Sequence, residues 1–194
     1  MGGLMAALSF SVGRQPDADL AVRLASVGAG DRVVDIGCGP GVAMRRAVAA
    51  GAASVIGVDP ATVMLRVGRA SRLLRPRRAH VRFVEGAAEA LPLADASATV
   101  AWSLSTVHHW RDVELSLHEV RRVLIPGGRL LAIERRVEPG ASGHASHGWT
   151  DGQAARFAAA CESAGFEEVA LACHQTSRQV LTVLAQTPED DARR

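Results

Sequence analysis

The sequence has no lysine and no tyrosine: all 22 basic residues are arginine, and aromatic residues make up 4% of the 194 positions. Surfaces that stack on unpaired bases need aromatic rings interleaved with cations, so the composition argues against single-stranded nucleic acid as a partner. The net charge of +2 is too small to attract a polyanion through a bulk field. All-arginine usage with abundant alanine reads as a GC-rich genome rather than a chemical requirement. No apolar run approaches the ~20 residues that a membrane-spanning helix requires. Residues 1–12, MGGLMAALSFSV, lack the basic start and the cleavage site of a secretion signal. A soluble, cytoplasmic protein with no membrane partner is expected. Cys38, Cys161 and Cys173 are odd in number and include no C-x-x-C pair, which argues against a disulfide framework or a zinc ribbon. Reduced thiols are expected.

What is present is a regular alternation. Apolar positions recur with helical spacing over 17–27, 42–50, 61–74, 113–124 and 151–164. Short apolar runs at 32–36, 54–58, 81–85, 99–103, 129–133, 168–173 and 179–186 read as strands. Alternating strand and helix predict a parallel sheet covered on both faces. The last two strands, joined by a short turn around Ser177, should pair antiparallel at an edge. Thr150 with Gln153 forms a capping box, Gly165 stops the helix that follows, and IPGG at 125–128 turns a helix into a strand. The chain 1–194 reads as one domain, with a short N-terminal cap over 1–16, a mobile loop at 136–149 and a frayed tail at 188–194.

The stretch VVDIGCGPG, residues 33–41, carries the first chemical signal. A strand ending at Asp35 and a helix starting near Pro40 leave Gly37, Gly39 and Gly41 as the turn. Glycine permits positive φ and lets a ligand touch the backbone. A dinucleotide loop needs its third glycine three positions after the second, and the alternate spacing here departs from that, which argues against a nicotinamide dinucleotide. An acid ahead of such a turn suits a ligand that brings a cation or hydrogen-bond donors. Asp59 closes the second strand eighteen residues after Gly41, where an acid in an open α/β sheet accepts both hydroxyls of a ribose. The competing role for Asp59 is to cap the helix that begins near Ala61.

In order and spacing, VVDIGCGPG, VIGVDPA (55–61), VEGAAEALPL (84–93) and EVRRVLIPGGRLL (119–131) resemble the successive motifs of class I S-adenosylmethionine-dependent methyltransferases. The resemblance is to the small-molecule branch that includes the ubiquinone and menaquinone methyltransferases, and it covers residues 20–187. It implies an α/β Rossmann-like three-layer sandwich whose seven-stranded sheet has the order 3-2-1-4-5-7-6, strand 7 antiparallel. It also implies S-adenosylmethionine as cofactor and S-adenosylhomocysteine as product. Carried over, the cofactor set is Asp35, Gly37, Cys38, Gly39 and Gly41 at the turn, Asp59 on the ribose, Pro60 near the adenine, Gly86, Ala87 and Ala88 at the ring edge, and Ser103 after the fourth strand. Relatives carry an aspartate on the adenine amino group where this chain has Ala87, which leaves backbone groups to read the ring.

Methyl transfer is an in-line displacement activated by the cofactor, so the protein chiefly aligns nucleophile, methyl and sulfur. A hydroxyl nucleophile also needs a base, and histidine titrates in the useful range. SLSTVHHW, residues 103–110, follows the fourth strand, and the resemblance implies a histidine pair there. His108 and His109 are the candidate catalytic bases, with backbone support of the turn as their alternative role. Trp110 is read either as substrate wall or as core. His144 and His147 fall in the 136–149 loop, where they could close over substrate. The H-x-x-H spacing lacks a helix and a nearby third ligand, so no metal is expected.

The expected function is transfer of a methyl group to a small-molecule acceptor, O-methylation being slightly favoured. The short loop and cap suggest an open pocket, suited to a bulky acceptor or to a second subunit completing the wall of a homodimer. An RNA or protein methyltransferase is the nearest rival, because Arg66, Arg69, Arg72, Arg75, Arg77, Arg78 and Arg82 crowd seventeen residues. No aromatic residue interleaves with them before Phe83, so a solvated helix face is favoured. A non-catalytic cofactor-binding protein is the third reading, since fold alone proves no activity.

Overall fold

The computed structural model describes residues 15–71 and 80–189. Its helices are α1 (Gln15–Leu24), α2 (Val42–Ala49), α3 (Thr62–Ala70), α4 (Val113–Val123) and α5 (Asp151–Ser163). Its strands are β1 (Arg32–Ile36), β2 (Ser54–Asp59), β3 (His80–Glu85), β4 (Ala98–Leu104), β5 (Leu124–Arg135), β6 (Glu167–Gln175) and β7 (Gln179–Gln186). Single 3-10 turns occur at Val107–His109 and Gly143–Ser146. All seven strands join one sheet in the order β3-β2-β1-β4-β5-β7-β6. β7 runs antiparallel to both β5 and β6, and the other pairs are parallel. The order and the antiparallel edge are those expected from the sequence.

The sheet has a core on each face because successive strand residues point in opposite directions. Val33, Leu131 and Ile133 enter the core shared with Leu20, Met44 and Ala47 of α1 and α2. Val34, Leu130 and Ala132 enter the core shared with Leu117, Val120 and Phe157 of α4 and α5. Strands buried on both faces are largely apolar, which is why 130–133 reads as an unbroken run and 33–36 as one interrupted only by Asp35. Each fully buried Val, Leu or Ile side chain contributes about 1.5–3 kcal/mol. No helix among the described residues is long and apolar enough to cross a membrane.

Helix ends follow their local chemistry. The Thr150 and Gln153 side chains and backbones satisfy one another in a full capping box at the start of α5, and Asp112 accepts from the Leu115 amide at 2.9 Å to start α4. Caps of this kind contribute about 1 kcal/mol each. β5 begins at Leu124, five residues before the apolar run that marks it in the sequence. Leu124 pairs with Ala98 before the register shifts toward Val100. Gly127, at φ +70°, absorbs the irregularity. The predicted helix over 61–74 is described only to Ala70. Arg72, Arg75, Arg77 and Arg78, most of the N-terminal cap and the end of the tail lie outside the described residues.

All three cysteines are free; Cys38 and Cys161 are buried and Cys173 is exposed. Burial pushes the Cys38 thiol far up, with Asp35 and Asp59 adding to the effect. Burial, with Glu162 beside it, pushes Cys161 up to about 12. Thiolate is the reactive form. A chromogenic disulfide reagent should therefore titrate one thiol in the native protein and three after denaturation, and Cys173→Ser should remove the native reaction. Rapid reaction of two or three native thiols would contradict this packing.

Candidate active site

The turn after β1 needs glycine for measurable reasons. Gly37, Gly39 and Gly41 have φ of +74°, +52° and +81°, the left-handed region that side chains disfavour. A Cβ on Gly37 would also lie 2.5–2.6 Å from the side-chain atoms of Thr106, whereas one on Gly39 would project into open space. The turn is stitched across to β2. The amides of Gly37 and Cys38 donate to the Val58 carbonyl at 2.8 and 3.1 Å, and the Gly39 amide donates to Asp59 Oδ2 at 2.8 Å.

Asp59 is 8% exposed, and its second oxygen, Oδ1, accepts from the Ala61 amide at 2.8 Å. It thus holds the glycine turn and the entry to α3 together, which combines the capping role with a position at the mouth of the strands. A carboxylate offers about four lone-pair sites. The two amides use two of them and leave capacity for a diol.

Beside Asp59 opens a cleft of about 430 Å³. Its lining combines Gly37, Asp59 and Pro60 after the first two strands, Gly86, Ala87 and Ala88 after the third, and Thr106, His109, Trp110 and Arg111 after the fourth. Asp35, which is 2% exposed, and Cys38 line a separate narrow crevice with Pro40 and Leu104 on the far side of Gly37. Ser103 is fully buried; its hydroxyl meets Thr106 Oγ1 at 2.5 Å, so it supports the cleft floor from beneath instead of lining it. Trp110 lines the cleft and packs edge-on against Phe157, with ring centroids 6.0 Å apart.

Two residues that brace this wall, Glu89 and Arg122, fall inside the motifs quoted above, where nothing marks them for that role. Glu89 Oε1 accepts from the amides of Arg111 and Asp112 at 2.6 and 3.4 Å, tying the 86–93 segment to the loop after β4. Burial pushes its carboxyl up, but the amides of Glu89, Arg111 and Asp112, with the Arg111 charge, outweigh that and hold it below the usual carboxylate range. Arg122 of α4 anchors the same segment by donating to the carbonyls of Leu91 and Leu93 at 3.0 and 2.8 Å, and to Asp95 and Glu119. Glu119 Oε2 in turn accepts from the Leu91 amide at 2.8 Å.

His109 lines the cleft, and His108 and His147 stand beside it. His108 and His109 lie in the turn after β4, with ring centroids 4.0 Å apart. His108 Nδ1 sits 2.9 Å from Oε2 of Glu134, a glutamate of β5 that is fully buried. In sequence Glu134 is a strand-end charge; only the pairing of β4 with β5 puts it under His108. His147 reaches the pair from the 136–149 loop, its ring 5.4 Å from His108 and 5.6 Å from His109. The end of that loop, read from sequence as mobile, is tied to β5. Arg135 Nε donates to the His147 carbonyl at 3.1 Å, and the Trp149 amide to the Arg135 carbonyl at 2.8 Å. Gly148 makes this approach possible, since a Cβ there would lie 2.2 Å from the Arg135 carbonyl oxygen. His144 falls in the turn Gly143–Ser146 just before.

Two substitutions separate the turn from its supporting wall. Gly37→Ala should lower the melting temperature and abolish nucleoside binding, because it meets both a positive φ and the Thr106 side chain. Arg122→Ala should cost about 1–3 kcal/mol of stability by releasing two carbonyls and two carboxylates, and weaken binding in the cleft. Melting curves and calorimetry on both variants check this. A Gly37→Ala protein with unchanged binding would show that the turn is not the cradle.

Comparison with known proteins agrees with this geometry. The family model described as a methyltransferase domain matches residues 34–132, just over half of the chain. The chain is 38% identical over 113 residues to the ubiquinone/menaquinone biosynthesis C-methyltransferase of Rubrivivax gelatinosus, covering 58% of this chain and 43% of that protein. It is 35% identical over 102 residues to the 27-O-demethylrifamycin SV methyltransferase of Amycolatopsis mediterranei, covering 53% and 38% respectively. The matches thus span less than half the length of either relative. Among solved structures, a SAM-dependent methyltransferase from Aquifex aeolicus superposes with a TM-score of 0.76 at 17% identity, over 94% of this chain and 97% of that one. The matched segment runs from β1 into β5 and contains the glycine turn, Asp59 and the histidine pair, and on that match the chain belongs to the methyltransferase domain family, with the class I fold of S-adenosylmethionine-dependent methyltransferases.

Proposed function

We propose that the chain transfers the methyl group of S-adenosylmethionine to a hydroxyl oxygen of a small-molecule acceptor. The observation that carries this is a single cleft lined both by a carboxylate at a strand end, Asp59, and by the imidazole of His109, with the imidazoles of His108 and His147 beside it. The residues present fit the cofactor. Open space in front of Gly39 and spare lone pairs on Asp59 suit a ribose diol, and Ala87 leaves the adenine edge to the backbone of Gly86 and Ala88. When bound, the cofactor supplies an electrophilic methyl on a sulfonium. The chain's own work is to orient and to take a proton. Asp35 and the glycine turn position the amino-acid end, Asp59 the sugar, and Trp110 and Thr106 limit where an acceptor can lie. The histidine wall removes the acceptor's hydroxyl proton, and positioned proton transfer of this kind contributes about 10²–10⁴ in rate.

A second outcome is favoured by one observation, the relative from Rubrivivax gelatinosus being named a C-methyltransferase. Deprotonating a phenolic hydroxyl also makes the adjacent ring carbon nucleophilic, so the same wall serves carbon transfer. The two differ in product, not in site.

Calorimetry should show one S-adenosylmethionine bound per chain. Asp59→Ala should weaken it tenfold to a hundredfold or more, since a hydrogen bond to a charged group contributes about 1.5–3 kcal/mol. With isotopically labelled cofactor and a series of phenols and hydroquinones, proton NMR should identify a methyl ether. His109→Ala should lower kcat about 10²–10⁴-fold. Absence of any heat with the cofactor would end the enzyme reading. Cofactor binding without transfer to any hydroxylated acceptor would leave a non-catalytic binding protein.

A further inference from the structure

We infer that His108, His109 and His147 form a binding site for one divalent transition-metal ion, zinc or a similar ion, with a position left open for an oxygen ligand. One nitrogen from each ring lies within 4.8 Å of the other two. Nδ1 of His108 is taken by Glu134, which leaves Nε2 to ligate. That atom is buried and has no hydrogen-bond partner among the described residues. With Glu134 ionised, Nδ1 carries the proton and Nε2 presents its lone pair, the arrangement in which a buried carboxylate fixes the tautomer of a metal-bound histidine and raises its basicity.

Charge supports the same assignment. Glu134 is fully buried, and its hydrogen bonds come from the amide and ring of His108, at 3.4 and 2.9 Å. A buried anion needs positive charge nearby, and a divalent ion on the far side of the imidazole supplies it. The geometry needs little adjustment. Nitrogens around a tetrahedral ion with ~2.05 Å bonds stand ~3.3 Å apart, so the cluster must close by about 1.5 Å. His109 and His147 are both exposed, while His108 is held on Glu134. Three imidazoles favour zinc, cobalt or nickel over calcium or magnesium, and three protein ligands with one open position is the pattern of catalytic zinc. One of the three ligands, His109, also lines the cleft.

The site stands on the histidine geometry alone; the ion's role rests on the acceptor reading above and refines it. An ion here would bind the acceptor oxygen directly and favour its deprotonated form, the proton passing to solvent water, so that the three histidines act as its ligands in place of the base role given above. The same two-histidine turn in a chain without the 136–149 arrangement lacks the third ligand.

Cobalt titration of the untagged full chain, followed by the visible d–d band of the four-coordinate ion, should give one equivalent, displaced by zinc. His147→Ala, outside the cofactor cleft, should weaken cobalt binding at least tenfold. Glu134→Gln should weaken it about 10–100-fold. Asp59→Ala should leave the titration unchanged while losing S-adenosylmethionine. Cofactor binding with no cobalt band, or a band that survives both His147→Ala and His109→Ala unchanged, would overturn the site. A normal cobalt titration in a chain that binds no cofactor would instead overturn the methyltransferase reading and leave the metal site standing.

Discussion

The structure turns on the Asp59 carboxylate, held between the amides of Gly39 and Ala61. Those two amides belong to different segments, the turn after β1 and the start of α3. The turn holds three glycines at positive φ, and α3, which starts at Thr62, has no side-chain cap from its N-cap residue Ala61. One charge, 8% exposed, organises both, and hydrogen bonds to charged groups are about twice as strong as neutral ones. The mouth of the cleft is therefore built before any ligand arrives, which lowers the ordering cost of binding.

The rest of the cleft is assembled from loops that would be loose alone. The 86–93 segment has no strand or helix beyond one isolated bridge between Ala87 and Ala90. It is held by Arg122 and Glu119 from α4 and by Glu89 reaching the amides after the histidine turn. These contacts lie at the carboxyl ends of the parallel strands, where an open α/β sheet leaves its ligand crevice. The opposite end of the sheet carries a different set of charges. Asp31 joins Arg129 and Thr99 there, and those bonds close the fold without facing a cleft.

The two walls of the cleft follow different rules. The cofactor side consists of backbone and one carboxylate, and it needs small residues more than reactive ones. The histidine side concentrates ring nitrogens over a fully buried glutamate, an expensive arrangement for a core unless the polar groups are used. The two relatives compared above are named for ubiquinone/menaquinone biosynthesis in one case and for a rifamycin in the other. In this chain the histidines, Trp110 and the 136–149 loop come together between β4 and α5.

Much of this was legible in the sequence because it depends on near neighbours. Helical and strand periodicity, the Thr150 capping box, the alternate glycines and an acid at the end of each of the first two strands are local signals, and with them came the fold class, while the strand order followed from the family resemblance of four ordered motifs. Three details were not legible: β5 starting at Leu124, Ser103 lying under Thr106, and Glu89 and Arg122 bracing the wall. Each depends on which residue a strand or loop meets across the sheet. The sequence by itself determined that a glycine turn would face an acid at the strand ends. Only the tertiary structure decided that His147 would join His108 and His109 above Glu134, because the pairing of β4 with β5 and the passage of Gly148 against Arg135 join positions whose spacing along the chain carries no period.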